Sequence, residues 1–182
     1  MKLHIGGTDP KEGWSILNIQ PGDHVDIVGS CADVLPIIDG QVDEIYASHV
    51  LEHLPLKEAK KAIGEFCRVL KPGGLVKISV PDLAILSQLF LSPQISRPTR
   101  YHVQRIIYGG QLNEHDYHKT GFYDHLLYEI LDDCGFEDIR RVDGFDLFPG
   151  DCSTVCVEGV AISLNVEARK GLTNQTESEQ SK

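Results

Sequence analysis

Between Leu56 and Val80 the periodicity of apolar residues changes within a single turn, and that change restricts the fold more than any other feature. Ala59, Ala62, Ile63, Phe66 and Leu70 recur at three- and four-residue steps, so they share one face of a helix predicted over Leu56–Leu70. Lys71-Pro72-Gly73-Gly74 ends that helix, because proline cannot continue it and glycine adopts dihedrals that other residues avoid. Leu75–Val80 then reads as a buried strand.

Short apolar runs upstream extend the pattern. Lys2–Gly6, Ser15–Ile19, Val25–Gly29 and Val42–Ala47 read as the first four strands, with Pro21-Gly22 stopping the second. Asp82 is placed to cap a helix through about Leu91. Ser92–Arg100, rich in proline and serine, reads as a loop. A helix is predicted over Tyr123–Cys134, stopped at Gly135, followed by strands over Ile139–Val142 and Val160–Ala168. Strands separated by helices imply an α/β, Rossmann-like domain: a mostly parallel seven-stranded sheet with helices on both faces. The domain spans residues 1–170 and is shortened at the N-terminus, since no helix-length crossover fits between Gly6 and Ser15. Residues 171–182 are polar and nearly devoid of apolar side chains, and are expected to form a disordered tail.

Charge and cysteine usage narrow the function classes. The chain of 182 residues carries 27 acidic against 17 basic residues, a net charge of −10, which repels phosphate backbones and disfavours general nucleic-acid binding. Ser96–Arg105 is the best candidate for a local basic patch. No apolar run approaches the ~20 residues of a membrane span, and no signal peptide is evident at Met1–Gly6. Five cysteines at scattered spacing suit a reducing compartment, and a cytoplasmic location is expected. Cys152 and Cys156 lack a flanking ligand pair, so no structural zinc site is expected there.

In open α/β sheets ligands bind beyond the carboxyl ends of the strands. Here those ends carry Gly6-Gly7, Asn18, Ser30-Cys31 and Ala47-Ser48-His49. Glycines after a first strand let backbone approach a ligand closely, and small residues leave room for a planar ring. A nicotinamide dehydrogenase is disfavoured, because no Gly-x-Gly-x-x-Gly opens a helix after the first strand.

Asp43–Leu54 resembles the post-fourth-strand motif of the class I S-adenosylmethionine-dependent methyltransferases. Phe66–Leu75, with Arg68-Val69-Leu70-Lys71-Pro72-Gly73-Gly74, resembles their turn from helix to fifth strand, and Gly135-Phe136 resembles the junction before their sixth. The likeness runs from about Lys2 to Arg169 and is greatest to small predicted methyltransferases of the type 11 kind. It implies S-adenosylmethionine as cofactor, with Gly6 and Gly7 at its methionine portion, Asn18 at the ribose, Ser30 and Cys31 at the adenine, and Ala47, Ser48 and His49 flooring the site near the sulfonium. Three positions depart from the family pattern: the loop reads Gly6-Gly7-Thr8 where Gly-x-Gly is usual, the ribose position is an amide, and Ser30 stands where an aspartate is common.

The histidines supply candidate catalytic groups. His49 falls where a methyl acceptor would approach. Tyr108–Lys119 lies between the fifth and sixth strands, the region that builds the acceptor pocket in the resembled fold, and its His118 and Tyr108 are assigned to the acceptor side, with His115 a lesser candidate for a general base. An imidazole suits proton removal near neutral pH. His49 and His53, four apart, share one helical face, but no third ligand is evident, so no metal is expected, and the resemblance gives His53 a structural role. The expected activity is methyl transfer to a small-molecule or glycan acceptor. The alternative is a non-catalytic Rossmann-like module that binds a nucleoside or a partner.

Overall fold

A computed structural model describes residues 1–172. Its main sheet has seven strands: β1 (Lys2–Ile5), β2 (Trp14–Asn18), β3 (Ile27–Val28), β4 (Val42–Ser48), β5 (Leu70–Pro81), β6 (Phe136–Val142) and β9 (Ser163–Lys170), in the order β3-β2-β1-β4-β5-β9-β6. The first five are parallel, as the alternation of strands and helices predicts, and β9 runs antiparallel to both β5 and β6. The register sets Ile5 beside Leu17 on one side and Ala47 on the other. The carboxyl ends of β1, β2 and β4 therefore lie level, and Gly6, Asn18, Ala47 and Ser30 share one edge.

One face of the sheet holds the main core. Leu3, Ile5, Leu17, Ile45, Ala47, Val76, Ile78 and Val80 pack with Phe66 and Ile63 of α1 (Leu56–Val69) and Leu127 and Leu131 of α4 (Asp124–Asp133), all buried. Each such side chain contributes about 1.5–3 kcal/mol when taken from water. Arg68 closes this layer from the α1 end: its guanidinium donates to the carbonyls of Leu35 (3.1 Å) and Ile37 (2.9 Å) and pairs with Glu65 at 2.8 Å. The strand expected over Leu75–Val80 begins earlier: β5 already pairs at Leu70 and bulges through Lys71–Gly74, where a side chain on Gly74 would stand 2.8 Å from the Lys71 carbonyl oxygen and Gly73 has φ +73°.

The opposite face explains how the shortened N-terminus is tolerated. Residues 6–13, between β1 and β2, hold no helix. An aromatic segment from far along the chain covers that area instead. Phe148 stacks on His4 with ring centroids 3.8 Å apart and meets Trp14 edge-on at 5.3 Å, while Lys11 donates to the Leu147 carbonyl at 2.7 Å. Tyr46 donates to Asp151 at 2.5 Å. Burial works against ionisation there, but hydrogen bonds from the Tyr46 hydroxyl and the Ser153 and Leu147 amides hold the Asp151 carboxyl below its ordinary range. Burial under Phe148 pushes the His4 imidazole down to about 4, against the pull of Asp151 and Asp9.

Several boundaries differ from expectation. The stretch expected to be a loop, Ser92–Arg100, runs into an unexpected helix, α3 (Arg97–Tyr108), with the Ser96 hydroxyl accepting from the Thr99 amide and proline in the first turn. Arg100, in the expected basic patch, instead donates to the Phe90 and Ser92 carbonyls and ties α3 to α2 (Leu83–Leu91). Asp82 caps α2 as expected, accepting from Ala84 and Ile85, and its second oxygen pairs with Arg141 at 2.8 Å. The strand expected over Val160–Ala168 is split: β7 (Cys156–Val157) and β8 (Val160–Ala161) form a hairpin around Glu158 and Gly159, both with positive φ, before β9 enters the sheet. β3 pairs through only two residues, so the expected strand over Val25–Gly29 is cut short at the sheet edge. The expected tail, residues 171–182, lies outside the described residues from 173 onward. Among the described residues no helix is long and apolar enough to cross a membrane.

Candidate active site

A cavity of about 370 Å³ opens beyond the carboxyl ends of the parallel strands. Its walls come from four strand ends: Ile5 and Gly6 after β1, Leu17, Asn18 and Ile19 at β2, Gly29, Ser30 and Cys31 after β3, and His49 and Val50 after β4. His53, Leu54, Glu58, His115 and Lys119 complete the rim. The volume lies within the range of sites that enclose a cofactor-sized molecule.

Gly6 is fixed by geometry. Its φ is +75°, and a side chain there would approach Val50 Cγ2 at 2.5 Å. The loop is held by Asn18, whose amide donates to the Gly6 carbonyl (3.2 Å) and the Gly7 carbonyl (3.0 Å) and whose oxygen accepts from the Gln20 amide at 3.0 Å. The amide at the end of β2 thus has a local duty that no carboxylate could perform, since a carboxylate has no hydrogens to donate. Ser30 accepts from the Ala32 amide at 3.2 Å, and burial pushes the Cys31 thiol up to about 12, so Cys31 is a small neutral wall rather than a nucleophile.

The remaining residues expected at the site are distributed differently. Gly7 packs under the His4 ring, and Ala47 is buried within the core. Ser48 faces the other side of the sheet, 3.4 Å from Asp151. Tyr108 is exposed at the end of α3 and does not border the cavity. His118 sits behind the cavity wall, its ring edge-on to His53 with centroids 4.7 Å apart. Burial pushes its pKa down, with the Glu52 carboxylate opposing. His49 is left-handed at φ +53° and two-sided, with Nδ1 3.3 Å from Glu52 and Nε2 3.2 Å from the Ser163 hydroxyl.

His53, expected to be structural, Glu52, fully buried beside it, and Lys119 also stand at or behind the cavity wall. The signal for the first two was present in Leu51-Glu52-His53, which forms a 3₁₀ turn directly after β4.

A parallel sheet with a final antiparallel strand, and a cavity across its strand ends beside a glycine turn, defines the Rossmann-like methyltransferase class of fold. Residues 7–78 match the family described as a methyltransferase domain. An S-adenosylmethionine-dependent methyltransferase from Archaeoglobus fulgidus superposes with a TM-score of 0.61 at 14% identity, over 93% of this chain and 85% of that one. A 1,6-didemethyltoxoflavin-N1-methyltransferase from Burkholderia thailandensis, solved with 1,6-didemethyltoxoflavin and S-adenosylhomocysteine, gives 0.56 at 14% identity, over 93% and 71%. A possible exported protein from Bordetella parapertussis gives 0.56 at 14% identity over 93% of this chain, which spans 61% of that protein's length. No curated protein matches the chain by sequence. The matched segment is similar to methyltransferase domains, and the superposed structures share the fold of this chain.

Proposed function

We propose that the chain transfers a methyl group from S-adenosylmethionine to a small-molecule acceptor. The observation that carries this reading is the cavity across four strand ends, in which Gly6, Asn18, Ser30, Cys31 and His49 meet although they are scattered along the chain. The cofactor, when bound, supplies a methyl already activated on a positively charged sulfur. The protein's task is then chiefly alignment and exclusion of water. Gly6 offers backbone without a side chain to the methionine portion, and Ser30 and Cys31 line the adenine end without charge. His49, at the cavity wall beside β4, is the group on the acceptor side, in hydrogen-bond contact with the Ser163 hydroxyl and next to Glu52. His118 supports that side from behind His53. Acceptors of small-molecule size suit the cavity better than a glycan chain. Five free cysteines are in keeping with a reducing compartment such as the cytoplasm.

A second reading is favoured by one observation. The amide of Asn18 is spent on the Gly6 and Gly7 carbonyls, so the end of β2 offers no charged acceptor for ribose hydroxyls, as a non-catalytic nucleoside-binding relative would tolerate. Calorimetry with S-adenosylmethionine, S-adenosylhomocysteine and NAD tests the cofactor. Binding of the first two and not the third is expected; binding of none overturns the reading. Binding followed by no methyl transfer to any member of a small-molecule panel favours the second reading.

A further inference from the structure

Behind the wall of the cavity lies a cluster whose buried carboxylate the methyl-transfer reading leaves without a role. Glu52 is 1% exposed, and neither of its carboxylate oxygens has a hydrogen-bond donor. His53 Nδ1 is likewise buried and without a partner. One ligand atom each from Glu52, His53 and His118 lies within 4.8 Å of the others, and His49 Nδ1 is 3.3 Å from Glu52 Oε1. Among the described residues no lysine or arginine pairs with this carboxylate. A buried carboxylate left in that state is strongly disfavoured unless a cation compensates it.

The backbone holds the cluster together. The amides of Lys119 and Thr120 both donate to the Glu52 carbonyl, at 2.7 and 3.1 Å, and the His118 amide donates to the Tyr108 carbonyl at 3.1 Å. Gly109, with φ +85°, allows the close return of the chain, since a side chain there would meet the Asp116 carbonyl and stand 2.9 Å from the His118 nitrogen. The segment carrying His118 is thereby fixed against the turn carrying Glu52 and His53.

We infer that Glu52, His53 and His118, with His49 beside them, form a binding site for a first-row divalent transition-metal ion. Imidazoles combined with one carboxylate suit zinc, iron(II), cobalt(II) or manganese(II), whereas magnesium and calcium prefer oxygen-only sets. Because His49 and His53 both border the cavity, an ion held by this cluster would lie beside the space an acceptor would enter. The site stands on these residues alone and does not depend on the methyl-transfer reading.

The test is titration of the full chain with cobalt(II), followed by visible absorption and calorimetry, without cofactor. One equivalent binding with d–d bands of a nitrogen- and oxygen-ligated ion is expected. Affinity should fall at least tenfold in Glu52→Gln and in His118→Asn, and remain unchanged in His125→Ala, whose imidazole is exposed on α4. Far-UV circular dichroism checks that each variant folds, and cobalt(II) should raise the melting temperature of the native chain. Absence of stoichiometric binding to the native chain overturns the inference. So does binding that survives both ligand substitutions or is lost equally in His125→Ala. Failure to bind S-adenosylmethionine in a separate titration would count against the methyl-transfer reading alone.

Discussion

Replacing Asn18 with aspartate separates the structure's account of β2 from the expectation that this residue meets a ribose. In the resembled family an acid at this position would strengthen cofactor binding. Here the side chain donates to the carbonyls of Gly6 and Gly7 while accepting from the Gln20 amide. Aspartate keeps the last bond and loses the first two, and it turns a negative oxygen toward two carbonyl oxygens. Each lost bond is worth about 1 kcal/mol, and at a half-exposed site the repulsion adds less than that, so Asn18→Asp should destabilise by about 2 kcal/mol. Urea unfolding reads this as a fall in midpoint of about 1 M with an unchanged slope. S-adenosylmethionine affinity, measured by calorimetry, should weaken, because the Gly6-Gly7 turn that borders the cavity is no longer clamped. An unchanged midpoint together with tighter binding would refute the reasoning. It would mean that the Asn18 side chain turns to the ribose in solution and that the glycine loop holds itself.

Other consequences follow from the same geometry. Because the folded chain keeps His4 neutral down to about pH 4 and the unfolded chain protonates it near 6.5, stability is full above pH 6.5 and lost as pH falls toward 4, by up to about 3 kcal/mol; His4→Phe should flatten that part of the stability–pH curve measured by urea unfolding. Gly7→Ala places a methyl within 2.6 Å of the His4 ring, which Phe148 holds in place, and should lower stability by about 2 kcal/mol, read as a drop of several degrees in melting temperature. Asp82→Ala removes both the α2 cap and the partner of Arg141, at a cost of about 1–2 kcal/mol, whereas Asp82→Asn should recover the capping share of it in the same unfolding measurement.

The elements legible in the sequence are those whose own side chains carry the periodicity. Leu56–Val69 shows its buried face at Ala59, Ala62, Ile63 and Phe66, and the strand ends announce themselves by the glycines and small residues that follow them. α3 was hidden because only Val103 of its residues is fully buried, so the apolar stripe is too thin to read, although Ser96 and Pro98 were a usable start signal. The break between β8 and β9 leaves no mark, because Ile162 continues the alternation while its backbone belongs to neither strand. The cover over His4 and Tyr46 depends on Phe145, Phe148 and Asp151, which return to β1 and β4 from beyond β6, about 100 residues further along the chain. The cluster at Glu52 is the extreme case. His49 and His53 are visible as a spaced pair, but the third imidazole arrives through the Lys119 and Thr120 amides bonding to the Glu52 carbonyl, and backbone pairing of that kind has no residue signature. Glu52 itself is disguised by its place in an apolar turn, where an acidic residue normally points to solvent. Its meaning comes from being 1% exposed, and burial of a charge is a property of the assembled fold. Sites built on strand ends can therefore be inferred from sequence order alone, whereas sites built on loop-to-turn contacts require the tertiary register.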